Sequence, residues 1–188
     1  MITVSAYDNH VDQLFEKMMR FHRALSEAGV PYRIVGGMAV FLQVSARDPD
    51  NGRTTRDVDA AVRRDDLSRI IRAAELNGFR YKHSAGIDML VDSKEPKARS
   101  AIHLIFMGEK VRPEYVEPVP GLSDPTITEE GITIAPVTDL VRMKLTSFRI
   151  KDRAHIQDLD SVGLITPEIE AGLSDILRAR LAEVRATE

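Results

Sequence analysis

Apolar and polar residues alternate along the chain with two different periods, which predict helices and strands in a mixed order. From Val11 onward, apolar residues recur every three to four positions, as in an amphipathic helix, and Asp8 and Asn9 are candidate caps. Further helices are expected at residues 38–45, 65–78, 138–149 and around 154–163, with a last helix opened by Thr166 and Pro167 and extending to Val184. Strands are expected at residues 32–35, 57–62, 79–83, 87–91 and 101–106, and more weakly at 131–136.

This order of elements predicts an α/β (α+β) fold in which a mixed sheet is flanked by helices. The last four elements are mostly helical. We therefore expect a single domain over residues 1–188, with an α/β core at 1–135 and a C-terminal helical segment at 136–188. The polar stretch 46–55 and the proline-rich stretch 112–125 are expected to be irregular.

Composition narrows the class of protein without naming a function. The chain has 188 residues, of which 43% are hydrophobic and 29% charged, which are ordinary globular values. No apolar run approaches the ~20 residues that cross a bilayer, and the first residues do not resemble a signal peptide, so we expect a cytoplasmic protein without membrane contact. With no cysteine, disulfides and thiolate metal sites are excluded, and a net charge of −3 gives no overall attraction to nucleic acid.

Two aspartates separated by one valine lie in the strand expected at residues 57–62. Side chains two apart on a strand point to the same face, so Asp57 and Asp59 should project together. Neighbouring carboxylates repel each other unless a cation neutralises them, and oxygen ligands of this kind suit Mg²⁺. The alternative is that both acids form ordinary ion pairs with the arginines nearby in the sequence, which are Arg53, Arg56, Arg63 and Arg64.

A glycine pair separates the first expected strand from the helix at residues 38–45. Without a Cβ, Gly36 and Gly37 allow a phosphate to approach the backbone N–H groups at a helix start. A plain turn is the alternative reading. If the pair binds phosphate, the glycines would seat a triphosphate while the two acids on the neighbouring strand hold the metal ions that bridge it.

These segments carry a resemblance to a known family. The stretch "VGGMAV" followed by "TTRDVDAAV" resembles the glycine pair and Asp-x-Asp signature of the nucleotidyltransferase superfamily with the DNA polymerase β fold. The later "DLVRMKLTSFRIKDRAHIQDL" resembles the Lys and Asp segment of the bacterial branch that includes the AbiEii-type toxins. The resemblance covers residues 32–164 and implies the same fold. It also implies transfer of a nucleoside monophosphate from an NTP, commonly ATP with Mg²⁺, to a hydroxyl on RNA, a protein or a small molecule.

The resemblance also implies roles for individual residues. Gly36 and Gly37 match the phosphate-binding pair, Asp57 and Asp59 the metal ligands, Lys144 the nucleotide-contacting lysine, and Asp158, or alternatively Asp152, a late acid. Of the arginines near the paired acids, Arg56 is the one we expect to contact phosphate, while Arg149 and Lys151 are expected to be solvated.

One position departs from the family pattern. Many members carry a third acid on a later strand, and the strand expected at residues 101–106 offers His103 there. A neutral imidazole accepts a proton near pH 7, so His103 is a candidate base, and Asp88 or Glu109 are candidate substitutes for the acid. The departure also motivates a second hypothesis, in which the protein has lost catalysis and binds a protein partner, as in a toxin and antitoxin pair. A third hypothesis is an enzyme that modifies antibiotics.

Overall fold

A computed structural model describes residues 5–53, 55, 57–94 and 101–187, with side chains from residue 12 onward. The helices are α1 (Ser5–Glu27), α2 (Gly36–Ser45), α3 (Leu67–Leu76), α4 (Val137–Ser147), α5 (Ile150–Ser161), α6 (Pro167–Ala171) and α7 (Asp175–Arg185). The strands are β1 (Tyr32–Val35), β2 (Val58–Val62), β3 (Phe79–Ser84), β4 (Ile87–Asp92), β5 (Ile102–Phe106), β6 (Thr126–Ile127) and β7 (Thr133–Ile134). None of these helices combines the length and the apolar character needed to cross a membrane.

The strands form one mixed sheet in the order β3-β4-β5-β2-β1-β7-β6. β2 is its centre and pairs antiparallel with β1 and parallel with β5. This confirms the predicted mixed α/β architecture. The register of β2 places Asp59 opposite Val35 on one side and opposite His103 on the other.

Helices pack on the sheet and on one another through a large apolar cluster that runs from Leu14 in α1 to Val184 in α7. α1 packs against α3, while α2 contacts β2 and also α4 and α5. Because α2 begins directly at the end of β1, its first turn lies between the central strands and the α4–α5 pair. That arrangement positions the site described below.

Several predicted boundaries are wrong. α1 begins at Ser5, so the candidate caps lie inside it, and α2 begins at Gly36 rather than after the glycines. The helix expected around residues 154–163 begins earlier, at Ile150, and the short strand β6 was not expected. The single helix predicted at the end of the sequence is two helices, α6 and α7. The first of them ends with Gly172 as its C-cap residue.

Candidate active site

The paired acids and the histidine come together at the centre of the sheet. Asp59 lies on β2 and Asp57 directly precedes that strand, while the parallel register of β2 and β5 brings His103 beside Asp59. His103 Nδ1 lies 3.3 Å from Asp59 Oδ1, and the Thr55 hydroxyl donates to Asp57 Oδ1 at 2.9 Å. One possible ligand atom from each of Asp57, Asp59 and His103 lies within 4.8 Å of the others. We call these three residues the triad.

Two of the four arginines nearby in the sequence have other partners. Arg53 donates from Nε to Asp158 Oδ1 at 2.9 Å, and Arg64 pairs with Glu109. Arg56, the expected phosphate contact, lies outside the described residues. The ion pairs of Arg53 and Arg64 therefore do not consume the charge of the triad carboxylates.

The two glycines differ in surroundings. Gly36 has φ +71°, which favours glycine, and a Cβ added to it would lie 2.1 Å from Asp59 Oδ2. Gly37 is buried, and a Cβ there would lie 3.0 Å from Thr55 Oγ1 and 3.4 Å from His155 Cε1. Gly36 thus opens the first turn of α2 directly beside a triad carboxylate, whereas Gly37 allows close packing behind it.

A cleft of about 680 Å³ opens in front of the triad. Its walls come from the β3–β4 hairpin, the chain that follows β5, and the facing sides of α4 and α5. Gly36 and all three triad residues line it. The cationic side chains that line it are Arg64, Lys110, Arg112, Lys144, Arg149 and Lys151. A cleft that combines a carboxylate cluster with several cations can hold a metal ion and a polyphosphate together.

Lys144 is the most buried of these cations, and it is held where α4 meets α5. We call residues 144–152 the α4–α5 corner. Lys144 Nζ lies 3.2 Å from Asp152 Oδ1, and Asp152 is fully buried. Phe148 takes a left-handed conformation that ends α4, and the Asp152 carboxylate accepts from the Arg149 backbone N–H that begins α5. The carboxylate also accepts from Arg149 Nε at 2.6 Å and from the Ser147 hydroxyl at 2.8 Å.

Burial and charge act in opposite directions on this pair. Burial lowers the pKa of Lys144, and the Asp152 carboxylate opposes that effect more strongly than the more distant Asp59 does. For Asp152, burial raises the pKa, but the hydrogen bond from Arg149 and the charges of Lys144 and Arg149 together lower it to about 2. On balance the pKa of Lys144 is lowered, and the corner holds its Nζ against the Asp152 carboxylate at the cleft.

Other predicted site residues lie elsewhere. Asp158 is buried in α5, pairs with Arg53 and is not part of the cleft lining, whereas its competitor Asp152 contacts Lys144. Asp88 and Glu109 do line the cleft. Their carboxylates have other partners, however.

Tyr81 and His83 donate to Asp88, and Arg64 donates to Glu109. Neither acid stands in the triad. Arg149 and Lys151 are exposed, as expected, and both also line the cleft. The signal for them was the basic run at residues 149–153, which the α4–α5 corner turns toward the triad.

The donor set of the triad fits a divalent cation. Carboxylate oxygens are usual ligands of Mg²⁺ and Mn²⁺, and an imidazole nitrogen is a usual ligand of transition metals. The Thr55 hydroxyl orients Asp57, which is the kind of outer contact that fixes a metal ligand. Asp57 and Asp59 would hold such an ion, and His103 lies beside them.

The fold is similar to that of two solved nucleotidyltransferase structures. The antibiotic-resistance factor ANT(2'')-Ia matches with a TM-score of 0.58 and 14% identity, covering 95% of this chain and 95% of that one. An antigenic nucleotidyltransferase-like protein from Paracoccidioides brasiliensis matches with a TM-score of 0.60 and 16% identity, covering 94% of this chain and 89% of that one. No family model and no curated protein matches the sequence. The chain has the nucleotidyltransferase fold, while the AbiEii-type branch stays a prediction.

Proposed function

We propose that this protein is a metal-dependent nucleotidyltransferase that moves a nucleoside monophosphate from an NTP, such as ATP, to an acceptor hydroxyl. The observation that carries the proposal is the position of the triad at a cleft that also contains Gly36 and Lys144. A carboxylate cluster, a helix start and a fixed cation are the parts that phosphoryl chemistry needs.

The chain's own residues divide the work of binding the donor. The first-turn N–H groups of α2 lack helical partners, and Gly36 places them beside the cleft, where they can donate to phosphate oxygens. Lys144, Arg149 and Lys151 supply positive charge on the opposite wall. Asp57 and Asp59 would hold Mg²⁺ or another divalent ion, which when bound would stabilise the negative charge on the transferring phosphate.

In the reaction, the oxygen of the acceptor hydroxyl attacks the α-phosphorus of the NTP. A new oxygen–phosphorus bond forms, the bond between the α-phosphorus and the bridging oxygen breaks, and pyrophosphate leaves. The hydroxyl proton passes to the Asp59 carboxylate or to water. Lys144 and the α2 start neutralise charge on the departing pyrophosphate, so the chain acts by positioning and electrostatics.

The test is transfer of label from α-³²P-labelled NTPs in the presence of a divalent metal. Acceptors should include RNA, bulk protein, small alcohols and, because one structural neighbour is an antibiotic-resistance factor, aminoglycosides. We expect labelled acceptor and released pyrophosphate, with a loss of at least about 100-fold in Asp59→Asn, the scale of removing one transition-state charge contact. Asp175→Asn, at an exposed acid of α7, is the matched control. Absence of NTP binding at millimolar metal would show that the proposal is wrong.

A second candidate function is a binding or regulatory partner of another protein, as in a toxin and antitoxin pair. The observation in its favour is that a histidine stands beside Asp59 where many family members carry an acid. Binding of NTP without turnover on any acceptor, unchanged by substituting His103, would favour this function over the enzyme.

A further inference from the structure

We propose that His103 is a metal ligand, and that the triad consequently prefers Mn²⁺ to Mg²⁺. This inference rests on the proposed function for the identity of the site, and it changes the role expected for the histidine from proton acceptor to ligand. Three observations carry it: the spacing of the donor atoms, the way the sheet fixes them, and the chemistry of the donor set.

The spacing suits ligands of one ion. Donors that each lie ~2.1 Å from an octahedral ion are ~3.0 Å apart in adjacent positions. His103 Nδ1 and Asp59 Oδ1 are 3.3 Å apart, and all three donors fall within 4.8 Å. Asp57, which carries the third donor, lies just before β2 rather than inside the sheet.

The sheet fixes the imidazole at this position. His103 pairs with Asp59 of β2 on one side, and on its other side it pairs with Met89 of β4, which is buried. The histidine side chain is only 22% exposed. A backbone paired on both edges leaves the ring few alternatives, so it behaves as a preorganised ligand rather than as a mobile surface base.

The donor set discriminates between metals. Mg²⁺ strongly prefers oxygen ligands, whereas Mn²⁺ accepts oxygen readily and binds an imidazole nitrogen better than Mg²⁺ does. Two carboxylates and one neutral imidazole also carry one negative charge fewer than three carboxylates. The site therefore loses electrostatic attraction for every divalent ion but regains affinity through the nitrogen only for a transition metal. Remaining positions are left for water and phosphate oxygens, which Mn²⁺ tolerates.

The experiment is electron paramagnetic resonance of the full chain with Mn²⁺ alone and no nucleotide. Loss of the free Mn²⁺ signal gives the affinity, competition by Mg²⁺ gives the preference, and electron spin echo modulation from ¹⁴N reports a coordinated imidazole directly. We expect ¹⁴N modulation that changes when the histidines are ¹⁵N-labelled. In His103→Asp we expect that modulation to disappear and the Mn²⁺ to Mg²⁺ affinity ratio to fall at least about tenfold, since even outer-shell changes alter metal affinity by about 10–100-fold.

The matched control is His83→Gln, which removes a half-exposed imidazole that pairs with Asp88 and leaves the triad intact. It should keep both the modulation and the ratio. Mn²⁺ bound to the wild-type chain without ¹⁴N modulation overturns the proposal, and this readout does not depend on any variant folding. Nitrogen coordination without turnover would support His103 as a metal ligand and contradict the proposed enzyme activity. Turnover without nitrogen coordination would support the enzyme activity and contradict His103 as a ligand.

Discussion

At the scale of single residues, Gly36 controls the position of Asp59 most directly. Its positive φ and the 2.1 Å approach of an added Cβ to Asp59 Oδ2 mean that any side chain there must displace the carboxylate. Gly36→Ala should therefore abolish divalent metal binding, as well as straining the backbone by about 1 kcal/mol. Calorimetric titration with Mn²⁺ and urea unfolding measure the two effects separately.

Gly163→Ala is a control that has the backbone strain of Gly36→Ala but displaces no carboxylate. Gly163 has φ +70° and open space around an added Cβ, so the substitution carries the same backbone penalty without a clash. It should unfold more easily than wild type and bind metal normally. Equal metal binding by both variants would contradict the role assigned to Gly36.

His155 provides a residue-scale prediction about pH. Burial, and then the charge of Lys144, lower its pKa from 6.5 to about 4, so the folded state holds the ring neutral while the unfolded state protonates it. The folded state is thus fully stable above pH 6.5 with respect to this group and loses stability as pH falls toward 4. In His155→Gln, the free energy of unfolding that is lost on acidification should be smaller by about 1–2 kcal/mol, allowing for the partial exposure of the ring.

Urea unfolding at pH 7 and pH 4.5 measures this difference in both proteins. Carboxylates that titrate in the same range affect wild type and variant alike. The effect of His155 is therefore the difference between the two proteins in how much their unfolding free energy changes with pH. An identical acid dependence would mean that His155 is not held neutral by the fold.

At the scale of elements, the α4–α5 corner depends on one buried carboxylate. Asp152 receives hydrogen bonds from Lys144, Ser147 and Arg149, and it lies in the first turn of α5. Asp152→Asn leaves the Lys144 ammonium buried without its counter-charge, which costs about 3–5 kcal/mol for a buried pair. Urea unfolding should show that loss, and Asp175→Asn, which removes an exposed pair with Arg178, should show almost none.

The elements also show which features local sequence can reveal. The strands at the sheet centre were predictable because alternation and β-branched residues agree there. A single last helix was predicted because the apolar spacing continues past Gly172. The helix ends there, however, and Ile176, which was expected on the apolar face, is 54% exposed. A new helix begins at Asp175, with Ser174 as its N-cap residue, and hydrophobic periodicity does not report such an interruption.

The candidate site was predictable only in part. Alternation predicted that Asp57 and Asp59 lie close together, although Asp57 precedes β2, and the resemblance pointed to Lys144. His103 was expected on a later strand, but its contact with Asp59 depends on the parallel register of β2 and β5, which no local pattern encodes. Arg149 reaches the cleft only because the left-handed Phe148 turns α5 back against α4. Such contacts between distant segments are set by topology.

At the scale of the whole molecule, we expect the two carboxylates of the triad to oppose folding until a cation binds. The Asp57 and Asp59 carboxylates lie close together at the centre of the sheet, and like charges in such positions destabilise by about 0.2–1 kcal/mol. In Asp57→Asn the amide oxygen still accepts from Thr55, so the local geometry is kept while the repulsion is removed. Without metal, this variant should unfold at the same or a higher urea concentration than wild type.

The same substitution should reverse the order of stability when ligand is present. Metal with a non-hydrolysable NTP at 100 times the dissociation constant stabilises wild type by about 2.7 kcal/mol, because only the folded chain binds. Asp57→Asn should lose most of that gain in thermal unfolding, and Asp175→Asn should retain it. Equal stabilisation of all three proteins would mean that the nucleotide binds without the triad, and the site would then have to be sought elsewhere in the molecule.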